Sequence, residues 1–120
     1  MTIVPYFTVP DGKMDEFMAG VPTFLESTRN GTDKALYYGF ATHENRVFCR
    51  EGYADADGAL AHVGDVGEAL DKAVGLVGEG GLDLSLMGPA AELEKLRPAF
   101  EPLGAKFWET VDGGLWWNRE

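Results

Sequence analysis

The chain has 120 residues, of which 45% are hydrophobic, so it is long enough for one domain with a buried core. Its 20 acidic and 10 basic residues give a formal net charge of −10, which argues against nucleic acid or an anionic membrane surface as a partner. A single cysteine, Cys49, excludes an intrachain disulfide and a zinc site built from paired thiolates.

We therefore expect one domain over residues 1–120, with residues 110–120 as a C-terminal tail. The N-terminal residues carry neither a basic segment nor the apolar core of a signal peptide, and no apolar run is long enough to span a bilayer. This pattern and the low cysteine content predict a cytoplasmic protein.

The first third of the chain predicts a strand and then a helix. β-Branched and aromatic side chains favour a strand over residues 2–9, in which Pro5 removes one backbone donor. After a turn at residues 10–12, apolar side chains recur at spacings of three and four, which is typical of a helix, with Asp11 as its N-cap. Pro22 lies within this stretch and is expected to kink or split the helix.

A β-hairpin is predicted for residues 36–53, around a two-residue turn at Glu44 and Asn45. In this register Tyr38 lies opposite Glu51. The same face pairs Leu36 with Tyr53, Phe40 with Cys49, and Thr42 with Val47. The other face pairs Tyr37 with Gly52, Gly39 with Arg50, Ala41 with Phe48, and His43 with Arg46. Because bulky side chains lie on both faces, the sheet needs a second cover, for which we expect another subunit.

The hairpin is predicted to lead directly into a helix that has Asp55 as its N-cap. Gly64 is expected to end this helix, and Asp65 to begin another one with Glu68 as its capping-box partner. His62 lies beside the apolar stripe of the first helix. Its imidazole could point into a cavity or lie at the protein surface, and the sequence leaves both positions open.

The last third of the chain predicts a strand, a helix and a short strand. Leucines alternate with small polar residues over residues 82–88, Pro89 suits the first residue of a helix, and residues 105–110 favour a closing strand. An apolar triplet, Leu-Trp-Trp at residues 115–117, follows a Gly-Gly turn. We expect this triplet to dock on the protein or on a partner subunit.

The order strand, helix, two strands, helix, strand is the βαββαβ order of a ferredoxin-like α+β sheet, here with an added C-terminal helix and strand. Two segments carry a further resemblance: EGYADADGALAHVGDVGEAL at residues 51–70, and GPAAELEKL at residues 88–96, after a Leu-rich strand. Together they resemble the dimeric α+β barrel proteins of the antibiotic biosynthesis monooxygenase type. The resemblance covers most of residues 35–109.

This resemblance implies a homodimer in which two protomers bring their sheets together, with a cavity in each protomer. Proteins of this family include cofactor-free oxygenases of polycyclic phenols, enzymes of quinols and haem-degrading proteins. The haem-degrading members use a helix histidine, to which His62 would correspond, with an Asn and a Trp in the pocket. Residues 2–9 contain no Asn, and the Trp residues lie at positions 108, 116 and 117, so haem degradation is disfavoured.

The hairpin and the following helix supply the candidate site. A cofactor-free oxygenase needs a base for a phenol and a pocket that excludes water. Tyr38, Glu51 and His62 are the predicted catalytic residues, since a carboxylate beside a tyrosine in apolar surroundings can act as a base. The predicted substrate-binding residues are aromatic: Phe40, Phe48 and Tyr6. The alternative is that Glu51 faces solvent near the sheet edge and that the aromatic residues belong to an ordinary core.

Other chemistries lack a matching pattern. The histidines and acidic residues do not have the spacing of a metal site, the glycine-rich residues 75–84 precede a strand and not a helix, and Cys49 lacks the partners of an activated thiol. We therefore expect no metal and no cofactor. The predicted function is a cofactor-independent monooxygenase or related small-cavity enzyme acting on an aromatic or quinol-like metabolite. A small apolar or aromatic ligand also suits two alternatives, a non-catalytic binding or stress-response module and an isomerase or lyase.

Overall fold

The computed structural model describes residues 1–114 of the chain. Within them, five strands form one sheet in the order β2-β3-β1-β4-β5, accompanied by helices. The elements in chain order are β1 (Thr2–Thr8), α1 (Met14–Ala19), α2 (Val21–Arg29), β2 (Ala35–His43), β3 (Arg46–Tyr53), α3 (Ala56–Val77), β4 (Leu82–Gly88), α4 (Ala90–Phe100), a 3-10 turn (Glu101–Leu103), β5 (Lys106–Glu109) and a second 3-10 turn (Val111–Gly113).

The first four strands have the ferredoxin-like arrangement. β1 pairs antiparallel with β3 on one side and with β4 on the other, and β2 pairs antiparallel with β3. β5 extends the sheet by pairing in parallel with β4. The predicted α+β ferredoxin-like fold with an additional C-terminal strand is therefore confirmed.

The hairpin of β2 and β3 has the predicted register from the pair Tyr37 and Gly52 onward to the turn. Glu44 adopts a φ of 53°, in the left-handed region that two-residue hairpin turns require. At the open end, a register shift places Ala35 and not Leu36 opposite Tyr53, so the predicted pairing of Leu36 is wrong. Leu36 is 59% exposed.

The helices pack on one face of the sheet, which we call the inner face. Strand alternation directs Val47, Cys49, Glu51 and Tyr53 of β3 to this face, where all four are buried. The opposite face, called the outer face, carries large side chains that are exposed to solvent: Tyr6, Tyr37, Met87 and Trp108. The helices thus pack on the inner face, and any ligand cavity beneath them must be lined by side chains of that face.

The N-terminal helix is split in two, as Pro22 predicts. The prediction that Asp11 caps this helix is wrong. The amide of Lys13 donates a hydrogen bond to the carbonyl of Pro10 at 3.0 Å, so a turn precedes the helix, which begins only at Met14. An N-cap residue must directly precede the first helical residue, and Asp11 lies too far upstream.

α3 is one continuous helix, so the predicted break at Gly64 is wrong. A glycine within a helix costs only about 1 kcal/mol, and buried Ala59 and Val66 hold α3 against the core on either side of it. Asp65 therefore does not begin a helix. Its carboxylate instead accepts a hydrogen bond from the backbone amide of Thr32 at 3.0 Å.

The predicted start of α3 agrees with the structure. Asp55 caps α3, because its carboxylate accepts a hydrogen bond from the amide of Gly58 at 2.9 Å. Pro89 directly precedes the first residue of α4 with an extended backbone, so this helix begins one residue later than predicted. The predicted docking segment at residues 115–117 lies outside the described residues. Within residues 1–114, no helix is both long enough and apolar enough to cross a membrane.

Leu86, on the inner face of β4, should contribute strongly to stability because its side chain is fully buried. Leu86→Ala leaves a cavity and should lower the free energy of unfolding by about 2 to 5 kcal/mol. Leu36→Ala makes the same chemical change at an exposed position and should lower it by less than about 1 kcal/mol. Urea unfolding of both variants at one protein concentration measures the two values, and equal losses would contradict the placement of Leu86 in the core.

Candidate functional site

A small cavity of about 40 Å³ lies between the inner face of the sheet and the helices. It is lined by side chains from β1 to β4, from α2 and α3, and from the end of α4 and the turn after it. Nearly all of these side chains are apolar, and the exceptions are Tyr38, Cys49, Glu51 and His62. A space of this size holds about one or two water molecules. The polar groups are therefore enclosed in surroundings that exclude most of the solvent.

Glu51 reaches the cavity because it shares the inward alternation of β3, and only 6% of the residue is exposed. An isolated carboxylate would be strongly destabilised at such a position. Tyr53, two residues along the same strand face, donates a hydrogen bond from its hydroxyl to Oε1 of Glu51 at 2.6 Å. This short bond fixes the direction of the carboxyl group and replaces part of the hydration that burial removes.

His62 approaches Glu51 from the opposite side of the cavity, on α3. The residue is 3% exposed, and its Nε2 lies 3.7 Å from Oε1 of Glu51. The imidazole also contacts two aromatic rings, with centroids 4.9 Å from Tyr38 and 5.2 Å from Tyr53. Among the described residues, Nδ1 of His62 is buried without a hydrogen-bond partner. The ring is thus held by packing and directs one nitrogen towards Glu51.

The charge state of the pair is decided by burial. Burial raises the pKa of Glu51 to about 7, although the hydrogen bonds from Tyr53 and Cys49 act in the opposite direction. Burial lowers the pKa of His62 to about 4, with a partial offset from Asp65. The 3.7 Å separation would permit an ion pair, but both shifts favour the uncharged forms. Between these two pKa values, a protonated carboxyl group therefore faces a neutral imidazole.

The other polar groups in and beside the cavity stay protonated at neutral pH. Burial, together with the nearby Glu51 carboxylate, raises the pKa of Tyr38, of Tyr53 and of the Cys49 thiol above their ordinary values. Cys49 is a buried strand cysteine, with 1% of its surface exposed. Glu51 is consequently the group of this cavity that is able to exchange a proton near pH 7.

The structure brings together four of the residues predicted for the site: Tyr38, Phe40, Glu51 and His62. The alternatives in which Glu51 faces solvent or His62 lies at the surface are wrong, because both residues are buried. Tyr53 was not predicted to take part, although its position two residues after Glu51 on a strand places both side chains on one face.

Phe48 and Tyr6 do not line this cavity but lie together on the outer face. Their rings stack with centroids 5.3 Å apart, and the guanidinium of Arg46 lies 5.1 Å from the centre of the Tyr6 ring. Strand alternation separates Phe48 from the inward residues of β3. The predicted contact of these two residues with a substrate would therefore need a ligand on the outer face.

No group of three or more His, Cys, Asp or Glu side chains within residues 1–114 is arranged to hold a metal ion. The chemistry available in the cavity is that of its own side chains: one carboxyl group, one imidazole, the hydroxyl of Tyr38 and a thiol. Such a set can bind a small ligand, orient it and move a proton.

The opposite pKa shifts of Glu51 and His62 should have opposite effects on stability. In His62→Gln, Glu51 keeps its raised pKa, and its stabilising contribution is complete below the unfolded value of 4.5 and lost as pH rises through about 7. In Glu51→Gln, the lowered pKa of His62 gives a contribution that is complete above 6.5 and lost as pH falls through about 4.

Urea unfolding at pH 8 and pH 5 measures these effects, with the double variant Glu51→Gln/His62→Gln as the baseline for all other groups. From pH 8 to pH 5, His62→Gln should gain on the order of 2 to 3 kcal/mol relative to the double variant. Glu51→Gln should lose stability over the same interval. If both single variants follow the pH dependence of the double variant, the two groups do not have the shifted pKa values.

Comparison with known proteins supports the fold. No protein-family model matches the sequence, and no curated protein matches it. The structure resembles the crystal structure of MupZ from Pseudomonas fluorescens with a TM-score of 0.84 and 29% identity, over 99% of this chain and 96% of that one.

Two further neighbours are similar in fold alone. A conserved protein from Methanosarcina mazei has a TM-score of 0.63 and 16% identity, over 69% of this chain and 85% of that one. A candidate antibiotic biosynthesis monooxygenase from Caulobacter crescentus has a TM-score of 0.59 and 23% identity, over 69% of this chain and 82% of that one. The resemblance to antibiotic biosynthesis monooxygenase-type proteins that the sequence indicates is therefore confirmed, and the chain has their ferredoxin-like fold.

Proposed function

We propose that this protein is an enzyme that binds a small apolar metabolite in the cavity and uses Glu51 to move a proton on it. The observation that carries the proposal is a buried carboxyl group with a pKa of about 7, set 3.7 Å from a buried imidazole in an otherwise apolar cavity. Near neutral pH, this carboxyl group can both accept and donate a proton.

We further propose cofactor-independent oxygenation of an aromatic or quinol-like compound as the reaction. The carboxylate of Glu51 would be the final acceptor of the phenolic proton, and the hydroxyl of Tyr38 would donate a hydrogen bond to the resulting anion. The electron-rich anion would itself supply the electrons that reduce oxygen. The fold shared with a candidate antibiotic biosynthesis monooxygenase supports this reaction class.

The proposal requires the cavity to widen around its ligand. Ligand pockets commonly measure about 300 to 1,000 Å³, which is far larger than the closed space of about 40 Å³. Phe100 and Leu103 line the side of the cavity at the end of α4, and Leu103 is 37% exposed. Displacement of these two side chains would connect the cavity to solvent at that side.

A second candidate function is an isomerase or lyase, and the protonation of Glu51 favours it. A carboxyl group with a pKa of about 7 is half protonated at neutral pH, so it is a competent proton donor as well as a base. Donation of this proton to a carbonyl or ether oxygen of the ligand would start an isomerisation or elimination without oxygen. A non-catalytic binding module would use the same cavity without turnover.

We also propose that the protein is a homodimer joined through the outer face of the sheet. Tyr6, Tyr37, Met87 and Trp108 present large apolar surfaces there, which is unusual for a face that stays in water. Tyr6 and Phe48 would then lie between the two sheets, where a ligand could contact them as the sequence predicts. An interface of this kind should bury more than about 1,000 Å².

Oxygen consumption with a panel of naphthols and naphthohydroquinones tests the proposed reaction, with the uncatalysed oxidation rate subtracted. Glu51→Gln removes the base and should lower kcat/KM by about 100-fold or more. Glu44→Gln makes the same change at an exposed turn position and should leave the rate unchanged.

The pH profile separates the two reaction classes. An oxygenase that needs the Glu51 carboxylate should become faster as pH rises through about 7, because the group loses its proton there. An isomerase or lyase that needs the protonated carboxyl group should become slower over the same interval. Turnover of the panel that is unaffected by Glu51→Gln would contradict the role of Glu51 as the base of the oxygenase.

Light scattering on a size-exclusion column tests the dimer. The protein should elute with twice the chain mass of 13.0 kDa at micromolar concentration. Met87→Lys places a charge on the outer face and should shift the protein to the monomer mass, whereas Ala61→Lys on the exposed side of α3 should not. A monomer mass for the parent protein would rule out the proposed assembly.

A further inference from the structure

We infer that the ligand of this cavity is an uncharged, mostly apolar molecule with one oxygen that hydrogen-bonds to Nδ1 of His62, and that His62 relays a proton between this oxygen and Glu51. The inference rests on the proposed function, since it assigns the ligand class and the proton path of the same site. Three observations carry it: the unpartnered nitrogen, the lack of lysine and arginine among the described residues that line the cavity, and the positions of Glu51 and His62 on opposite sides of it.

The first observation is the unpartnered Nδ1. Buried polar atoms in proteins are nearly always hydrogen-bonded, and the exceptions commonly belong to groups with a catalytic or redox role or to sites that hold a water or an ion. His62 is 97% buried, its ring is flanked by Tyr38 and Tyr53, and Nδ1 meets no partner within residues 1–114. Because Nε2 is directed at Glu51, Nδ1 is the nitrogen that a ligand can use.

The second observation is the charge of the lining. No lysine or arginine of the described residues borders the cavity, and Glu51 is the lining group that carries a negative charge above its pKa. The facing tyrosines and Cys49 stay protonated. A carboxylate or phosphate on the ligand would therefore be desolvated without a counter-charge and would face a carboxylate. The lining selects against anions and suits a neutral compound.

The third observation is that Glu51 and His62 are placed in series. When the Glu51 carboxyl group passes its proton to Nε2, the proton on Nδ1 can pass to the ligand oxygen. The imidazole returns to its neutral form with the hydrogen on the other nitrogen, Glu51 becomes a carboxylate, and the ligand oxygen gains one proton. The reverse sequence removes a proton from a phenol. For either transfer, the 3.7 Å separation of Nε2 and Oε1 has to close to about 2.7 to 3.0 Å.

Nitrogen NMR of protein labelled with ¹⁵N only at histidine tests this inference, because the chain contains two histidines and His43→Gln assigns them. Phenol, benzene and benzoate are the probes, and they share one ring but differ in oxygen and charge. Phenol should shift the Nδ1 resonance of His62 and bind at least about tenfold more tightly than benzene, the difference expected for one positioned hydrogen bond. Benzoate at pH 8 should leave the resonance unmoved.

His62→Phe fills similar space without a polar nitrogen and should bind phenol and benzene with similar affinity. If that variant fails to fold, His62→Gln serves in its place. It should lose at least half of the difference in binding free energy between phenol and benzene. Benzoate binding as tightly as phenol, or phenol binding without a shift of Nδ1, would overturn the inference. A His62-dependent preference for phenol without turnover of any tested substrate would uphold the ligand class and overturn the proposed enzyme. Turnover of a tested substrate without the Nδ1 shift would uphold the proposed enzyme and overturn the ligand class.

Discussion

The burial of Glu51 beneath α3 is the constraint on which the candidate site depends. A carboxyl group at this depth is tolerated because Tyr53 donates a 2.6 Å hydrogen bond to it and because it can hold a proton at neutral pH. Its presence in turn determines what His62 can do, since the imidazole meets a neutral partner and stays neutral itself. The proton of Glu51 is therefore the central element of both the stability and the proposed chemistry of the cavity.

The fold places this pair where water has little access. α3 crosses the inner face without a break. Its buried residues on either side of Gly64 fix the position of His62 relative to β3. The hairpin register places Tyr38 beside Glu51 from the neighbouring strand. Strand pairing and helix packing are both needed, because neither element alone brings the imidazole and the carboxyl group together.

The neighbours of known structure share this architecture, and they do not identify one reaction. The similarity to MupZ extends over 99% of the chain, whereas the candidate monooxygenase from Caulobacter crescentus matches over 69%. A shared ferredoxin-like fold accommodates many reactions, and the side chains of the cavity determine which one occurs. The polar set of Tyr38, Glu51 and His62 is consequently the part of the molecule from which function has to be inferred.

Local patterns in the sequence determined the order of the elements, the hairpin register from the turn to the pair of Tyr37 and Gly52, and the cap at Asp55, because alternation, turn length and capping act between residues close in the chain. The tertiary structure alone decided that Glu51 and His62 are buried against each other. That contact depends on which face of the sheet the helices cover, and the residues 51 and 62 meet only when α3 folds back over β3. The continuity of α3 through Gly64 was likewise decided by packing, which outweighs a weak local preference.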